Sequence, residues 1–512
     1  MALAIALVYF VALIVIATLY TKRKVKTAQD FRNAGDGMGW ALVTFCFVLV
    51  PLGSGHTLSL WETAANGQGA TAMWWGIGAG AIFLPLMMLW FGPWVRQTRL
   101  GSVPAIIEKM FGRDLGAVHA CFQTMTWAGI GTAELCAIGT AIYGLSGGAI
   151  SYRPWCIIIG LILAIFYVFF GGVLQMAWLN VINSIVLIVG SYISLIMVAV
   201  WVVANLGGLD AVVEFYNASL GGAHLLSNMN LDRPDVWLQT IIPVIVLHST
   251  CGAVSQCMNQ PFFAAKDDQA CRRGVFLGAG MNMMSCVPWV LMACIGVAIA
   301  SVVARAEAGG EVAKLIVPSL ALETLPTPIV GLLMISLLSA TLSTAGSIFL
   351  GNGNVIATDI IKRAWKPNMS DKEHLKWLRV CVLIQAIICG IAALKMDVLF
   401  TLFLWCFSFG MPVFVVYFLG MIWKSSKVAA WITIVVSYVV GIIWTFWPPA
   451  FMNNILMGIF ALNIYMVMAV SIILGVILTA VLPGEPGLRT KKYKEKYGFN
   501  YKGDSVILDQ PK

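Results

Sequence analysis

Long apolar runs separated by short polar stretches recur along the whole chain. They predict thirteen helices of membrane-crossing character, at 2–20, 39–66, 70–95, 115–148, 153–173, 177–204, 237–262, 275–303, 328–360, 380–395, 398–421, 428–447 and 455–482. A bilayer's hydrocarbon core takes about 20 residues of helix, and backbone polar groups inside it must be satisfied within the protein. The expected fold class is therefore all-α: a polytopic membrane protein with about 13 transmembrane helices. Two of the runs are interrupted. One carries Val50-Pro51-Leu52-Gly53-Ser54-Gly55-His56 in its middle; the other carries the stretch from His248 to Gln256, with Gly252 at its centre and Pro243 and Pro261 on its flanks. A third run, 328–360, places Ala340, Ser343, Thr344 and Ser347 at i, i+3, i+4, i+7, so they share one helix face.

Composition agrees with this pattern. The 512 residues are 60% hydrophobic and 11% charged, too little charge to cover a soluble protein of this size. The placement of the charge gives a topology. With the N-terminus outside, thirteen crossings put the C-terminus in the cytoplasm. The loops at 21–38, 95–114, 264–274, 361–379, 422–427 and the tail from 483 then hold 27 of the 32 Lys and Arg. Arg153, Arg233, Arg305, Lys314 and Lys395 fall on the other side. This is the positive-inside bias of a multi-pass cell-membrane protein. It accounts for the +9 net charge without nucleic acid. The positive cluster Lys22–Lys26 follows the first apolar run, which marks that run as a span and not a cleaved leader. The twelve cysteines lie mostly inside spans with no paired metal-ligand spacing, and read as small apolar packing residues.

Unwound backbone at membrane depth is tolerated where it lines a cavity, and paired interruptions in two halves of a chain point to a transporter's binding site. Four stretches carry a resemblance of that kind. They are Asp30-Phe31-Arg32-Asn33-Ala34-Gly35-Asp36; Tyr167 to Gly171-Gly172 continuing to Trp178-Leu179-Asn180-Val181-Ile182-Asn183; Ser255-Gln256 through Gln260 to Ala264-Ala265-Lys266-Asp267 and Arg273-Gly274; and Leu338-Ser339-Ala340-Thr341-Leu342-Ser343-Thr344, closing at Asp359. Together they resemble the sodium:solute symporter family across essentially the whole chain. The resemblance implies an inverted-repeat (5+5) core with a discontinuous first helix in each repeat. In this chain that gives one membrane transport domain over 1–482: a leading extra helix at 1–20, a first repeat at 39–204, a second at 237–421, two trailing helices at 428–482, and then a cytoplasmic tail at 483–512.

By the same resemblance one sodium ion would be held by the side-chain oxygens of Ser343 and Thr344 and the carbonyl of Ala340. The remaining carbonyls come from the first break: Val50 and Gly53 if the register is anchored on Ser54-Gly55, displaced by one or two residues if it is anchored on Ala34-Gly35. Two departures argue against a second sodium. Asn180 stands where relatives often have an acid, and of two further hydroxyl positions Gly346 and Ser347 only one keeps its oxygen. Leu52 stands where relatives usually carry Asn or Asp.

Glu62 and Glu134 are the carboxylates at membrane depth, with no Lys or Arg beside them in sequence. Such groups are costly and tend to line a pathway. With Ser54, His56 and Gln256, Glu134 is expected to contact the solute, and His248 is a weaker candidate. Trp61, Trp74, Trp75 and Trp178 are candidates for an aromatic face toward a cation, against interfacial anchoring. Carboxylates without cationic partners suit an amino acid, amine or betaine; sugars and other neutral solutes remain open. The reading is a secondary active symporter importing a small-molecule solute across the lipid bilayer by alternating access, with no obligatory protein partner evident and no enzyme motif. Proton coupling through His56 or Glu134 is the rival within that class, and a solute sensor on a transporter fold is the rival outside it.

Overall fold

The structure is a computed structural model that describes residues 2–51, 53, 57–80, 84–219, 236–395, 405–447 and 463–497. It is a bundle of helices. Among the described residues nine are long and apolar enough to cross a membrane: Leu3–Lys22, Arg113–Ser146, Gly172–Leu206, Asp268–Val297, Thr327–Arg363, Asp371–Ala393, Trp405–Ile422, Lys427–Phe446 and Ile464–Val481. Three shorter apolar helices, Trp40–Leu49, Tyr152–Val168 and Ile242–Ala253, fall on further expected spans. Helix Leu84–Gln97 falls on the remaining one.

The bundle has a centre. Helix Thr327–Asn354 is buried along nearly its whole length. It packs against Gly172–Leu206, Arg113–Ser146 and Asp371–Ala393. Small residues set these approaches: a Cβ on Gly353 would lie 2.9 Å from the backbone nitrogen of Val382, and one on Gly190 would lie 3.2 Å from the Leu332 carbonyl oxygen. Without a hydrophobic drive between helices in lipid, close backbone approach of this kind is what holds them together. Exposed apolar side chains line the leading helix, helix Gly172–Leu206 and the trailing helices, for example Val8, Ile16, Ile196, Val435 and Ile473.

The motifs of the sequence meet at one end of the bundle. Gly172 has φ +55°, a left-handed conformation that favours glycine. A Cβ there would lie 2.9 Å from the carbonyl carbon of Phe31, so the Gly-Gly pair and the Asp30–Asp36 segment fit each other. Met38 donates to the Ala264 carbonyl at 2.9 Å and accepts from Lys266 N–H at 2.9 Å, joining the lead into the first broken helix to the exit of the second. Arg96 pairs with Asp268 (3.1 Å), Arg363 with Glu108 (2.9 Å) and Lys427 with Asp114 (3.0 Å). These contacts link the basic loops to one another, so the loops that share a charge bias share an end. Arg153, Arg305 and Lys314 pair elsewhere, with Glu311, Glu323 and Glu311.

The segment after 483 docks on this basic end. Lys424–Ser425 and Glu485–Pro486 form a short antiparallel ladder. Arg489 N–H donates to the Met421 carbonyl at 2.9 Å, its guanidinium donates to Gln97 at 2.6 Å, and it lies 3.8 Å above the Trp94 ring.

Candidate functional site

Pro51 is what makes the first break. Helix Trp40–Leu49 runs on through Val50, whose N–H still donates to Cys46 at 2.9 Å. Pro51 has no N–H, so the Phe47 carbonyl loses its ladder partner and the helix stops. The next carbonyls are satisfied from other helices. Asn282 Nδ2 donates to Val48 at 3.1 Å. The Thr344 hydroxyl lies 2.8 Å from the Leu49 carbonyl and 3.2 Å from that of Ala340 in its own helix. Gly53 N–H donates to the same Thr344 oxygen at 3.0 Å. Thr57 donates to the Gly53 carbonyl at 2.7 Å, and helix Leu58–Thr63 resumes.

Thr344 is thus the side chain around which the break is organised, and it is buried with 3% exposure. Glu134 approaches from the long helix Arg113–Ser146. A Cβ on Gly53 would lie 2.7 Å from the Glu134 carboxyl carbon, so a side chain there would force the Glu134 carboxylate to move aside. Carbonyls, one hydroxyl and a neighbouring carboxylate make a set of hard oxygen donors suited to an alkali cation. Ser54 and His56 lie outside the described residues. The structure brings Gly53, Ala340, Thr344 and Glu134 together with Leu49, the residue before the expected Val50.

Ser343 is engaged with a neighbouring helix, Gly172–Leu206. Its hydroxyl donates to Asn180 Oδ1 at 2.7 Å, an atom that also accepts from Tyr167 at 3.1 Å. Asn183 Nδ2 donates to Tyr167 at 2.7 Å, and Asn183 Oδ1 accepts from Ser339 (3.3 Å) and Tyr9 (3.2 Å). Ser343, Tyr167, Ser339 and Tyr9, four buried or part-buried side chains, thus join Asn180 and Asn183 in a neutral network beside the same helix. Gly346 packs here, where a Cβ would lie 3.1 Å from the Tyr167 ring. Ser347 turns to its own helix, donating to Ser343 at 2.8 Å.

The second break differs in kind. Helix Ile242–Ala253 continues past Gly252, and the interruption falls at Val254–Ser255, where Ser255 caps helix Gln256–Ala264. Its freed carbonyls are taken by side chains: Asn259 Nδ2 lies 3.1 Å from Gly252, 3.1 Å from Ala253 and 2.7 Å from Ser255. His119 lies 3.2 Å from Val254. Gln256 is consumed in the same way. Its Oε1 accepts from Val103 N–H at 2.9 Å, and its Nε2 faces Gln260 Oε1 at 2.8 Å and the Gly101 carbonyl at 3.3 Å. Gln256, expected as a solute contact, ties the second broken helix to the 101–103 turn.

Two further expectations change. Glu62 has a cationic neighbour after all: Lys314, far along the chain, acts on it electrostatically. Lys314 is 2% exposed and pairs with Glu311 at 2.8 Å, which also takes Arg153 at 3.1 Å. Glu62 therefore lies within electrostatic reach of the Arg153–Glu311–Lys314 cluster, without an ion pair to it among the described residues. The four tryptophans do not form one face. Trp61 packs on Trp289 (5.7 Å) and Trp74 on Trp237 (5.9 Å), while Trp178 is 41% exposed and meets Tyr20 of the leading helix at 5.5 Å. His248 lies buried 5.5 Å from the Phe407 ring.

Comparison with known proteins follows this architecture. The sequence is 21% identical over 485 residues to a sodium/glucose cotransporter of Vibrio parahaemolyticus, covering 87% of this chain and 86% of that protein. It is 23% identical to the sodium/myo-inositol cotransporter 2 of Bos taurus, over 86% of this chain and 69% of that protein. A Na+-coupled sialic acid symporter, solved substrate-bound and outward-open, superposes with a TM-score of 0.76 at 16% identity, over 95% of this chain and 99% of that one. The nucleobase-cation symporter MHP1, in a closed conformation, superposes with a TM-score of 0.53 at 15% identity. The fold is the inverted-repeat membrane fold with two discontinuous helices. The family model for sodium:solute symporters matches residues 31–435, and the chain belongs to the sodium:solute symporter family.

Proposed function

We propose that the protein is a secondary active symporter that uses the sodium gradient to import a small polar organic solute by alternating access. The observation that carries this reading is Thr344, whose buried hydroxyl meets the Leu49 carbonyl, the Ala340 carbonyl and the Gly53 N–H at the interruption of a membrane helix. Family membership supports sodium as the coupling ion. The proposed ion ligands are the hydroxyl of Thr344 and the carbonyls of Leu49 or Val50, of Gly53 and of Ala340. Ser343 joins them by leaving Asn180 for another staggered rotamer. Asn180 is neutral and already accepts two hydrogen bonds, which supports one sodium per cycle.

Glu134, against Gly53, favours a solute with a cationic group: an amino acid, amine or betaine. A second reading, a sugar or polyol, is favoured by the glucose, myo-inositol and sialic acid specificities named for the relatives. The basic end is proposed to face the cytoplasm, following the positive-inside rule.

The test is melting temperature of the detergent-purified protein against amines, amino acids, betaines, sugars and polyols, each in sodium and in potassium. Ligands that bind only the folded state raise it by mass action. A rise that needs sodium and one solute class establishes coupling and names the class. A rise equal in potassium and dependent on pH transfers the coupling role to protons.

A further inference from the structure

We propose that a cleft at the basic end of the bundle binds an anionic phospholipid, with Arg272 and Arg273 on its phosphate-bearing headgroup and its acyl chain against Trp40, Leu89, Phe276 and Leu277. These six residues line a cleft of about 460 Å³. It lies between the start of helix Trp40–Leu49, helix Leu84–Gln97 and helix Asp268–Ser285. The cleft is layered by chemistry along one helix. Phe276 stands four residues beyond Arg272, about 6 Å further along the axis at 1.5 Å per residue. Phe276 is 68% exposed, and Trp40 and Leu277 are also exposed. Polar cations therefore sit at the helix start and apolar side chains follow toward the membrane interior, the sequence of layers in a lipid leaflet.

The charge of the two arginines is uncompensated by the protein. Among the described residues neither guanidinium has a hydrogen-bond or ion-pair partner. The acids at the start of the same helix are committed elsewhere: Asp267 accepts from Ala270 N–H at 2.6 Å, and Asp268 is held by Arg96 at 3.1 Å. Planar guanidiniums suit phosphate oxygens, and basic pockets between membrane helices bind acidic headgroups. The position gives the lipid a consequence. Gly274 and Gly278 of this helix seat it on helix Trp40–Leu49, where a Cβ on Gly278 would lie 3.0 Å from the Thr44 carbonyl. A lipid in the cleft braces the helix that ends at the first break.

The experiment uses the full chain in neutral detergent, titrated with phosphatidylglycerol, phosphatidylcholine or inorganic phosphate. It is read by native mass spectrometry and by melting temperature. Phosphatidylglycerol is expected to remain bound and to raise the melting temperature, and phosphatidylcholine and inorganic phosphate are not. The double variant Arg272→Gln with Arg273→Gln should hold phosphatidylglycerol about thirtyfold more weakly, the loss expected for two interfacial cations. The double Lys variant, which keeps the charge, should retain most of the binding and controls for folding. Equal retention of the two phospholipids, or undiminished phosphatidylglycerol binding by the Gln variant, overturns the proposal. A shift with inorganic phosphate alone also overturns it, in favour of a simple anion site. None of these outcomes depends on whether sodium or a solute binds.

Discussion

Thr344 and Gly53 make opposite demands on the same few cubic ångströms. Thr344 supplies an oxygen to a break whose Leu49 and Ala340 carbonyls lie within hydrogen-bond reach. Removing that oxygen would leave the proposed ion one ligand short. Thr344→Ala is expected to raise half-saturating sodium roughly ten- to hundredfold, the equivalent of about 1.5–3 kcal/mol for a contact to a charged group. Thr344→Ser should restore it, and sodium-dependent uptake in vesicles reads both. An unchanged sodium dependence in Thr344→Ala would remove this residue from the ion site. Gly53 instead supplies an absence. Any side chain there meets the Glu134 carboxylate, so Gly53→Ala should cost about 1–3 kcal/mol as an overpacked core. Its partial recovery by Glu134→Ala in the same chain, measured by melting temperature, would locate the clash.

Among the elements, the two broken helices look alike in sequence and differ in what their free backbone does. Pro51 and the glycines after it announced the first break, and the spacing of Ala340, Ser343, Thr344 and Ser347 announced the helix that faces it. The rest was illegible for a physical reason: a hydrogen-bond partner hundreds of residues away leaves no trace in local spacing. Asn259 looks like any polar residue beside a break, yet its amide nitrogen reaches three of the carbonyls there. Ser343 sits four residues from Ser347 and beside Thr344, but only the fold turns it toward Asn180. Lys314 near Glu62, and the return of Arg489 onto Trp94, are long-range pairings of the same sort. Gln256 gives the sharpest check on this distinction. If its role is to tie two elements together, Gln256→Ala leaves Val103 N–H and Gln260 Oε1 without their Gln256 partners and costs about 1–3 kcal/mol. Melting temperature should fall while the apparent affinity for solute stays within about twofold, since the residue contacts none. A large rise in KM with unchanged stability would return Gln256 to the solute pathway.

For the molecule as a whole, the number of ions per cycle sets how far it can drive uptake. In the proposed reading, the network around Asn180 decides that number. Asn180 Oδ1 already accepts from Ser343 and Tyr167, and every group in the network is neutral. A second cation there would find amide and hydroxyl oxygens but no carboxylate to offset its desolvation. With one sodium, a membrane potential of ~100 mV contributes about 2.3 kcal/mol. A tenfold sodium gradient adds about 1.4 kcal/mol. A neutral solute should therefore stop accumulating near 500-fold, where a second ion would carry it to the order of 10⁵. Vesicles clamped with potassium and valinomycin give this ceiling directly, and the Hill coefficient for sodium should stay near one. Asn180→Asp places a charge inside the network with the Ser343 and Tyr167 hydroxyls still in reach. It is expected to raise the Hill coefficient above one if those oxygens can close on an ion, and otherwise to destabilise the fold as an unpaired buried acid. Accumulation beyond a thousandfold by the unmodified protein would show that the neutral network takes an ion after all, and would break the link between the lost carboxylate and the stoichiometry.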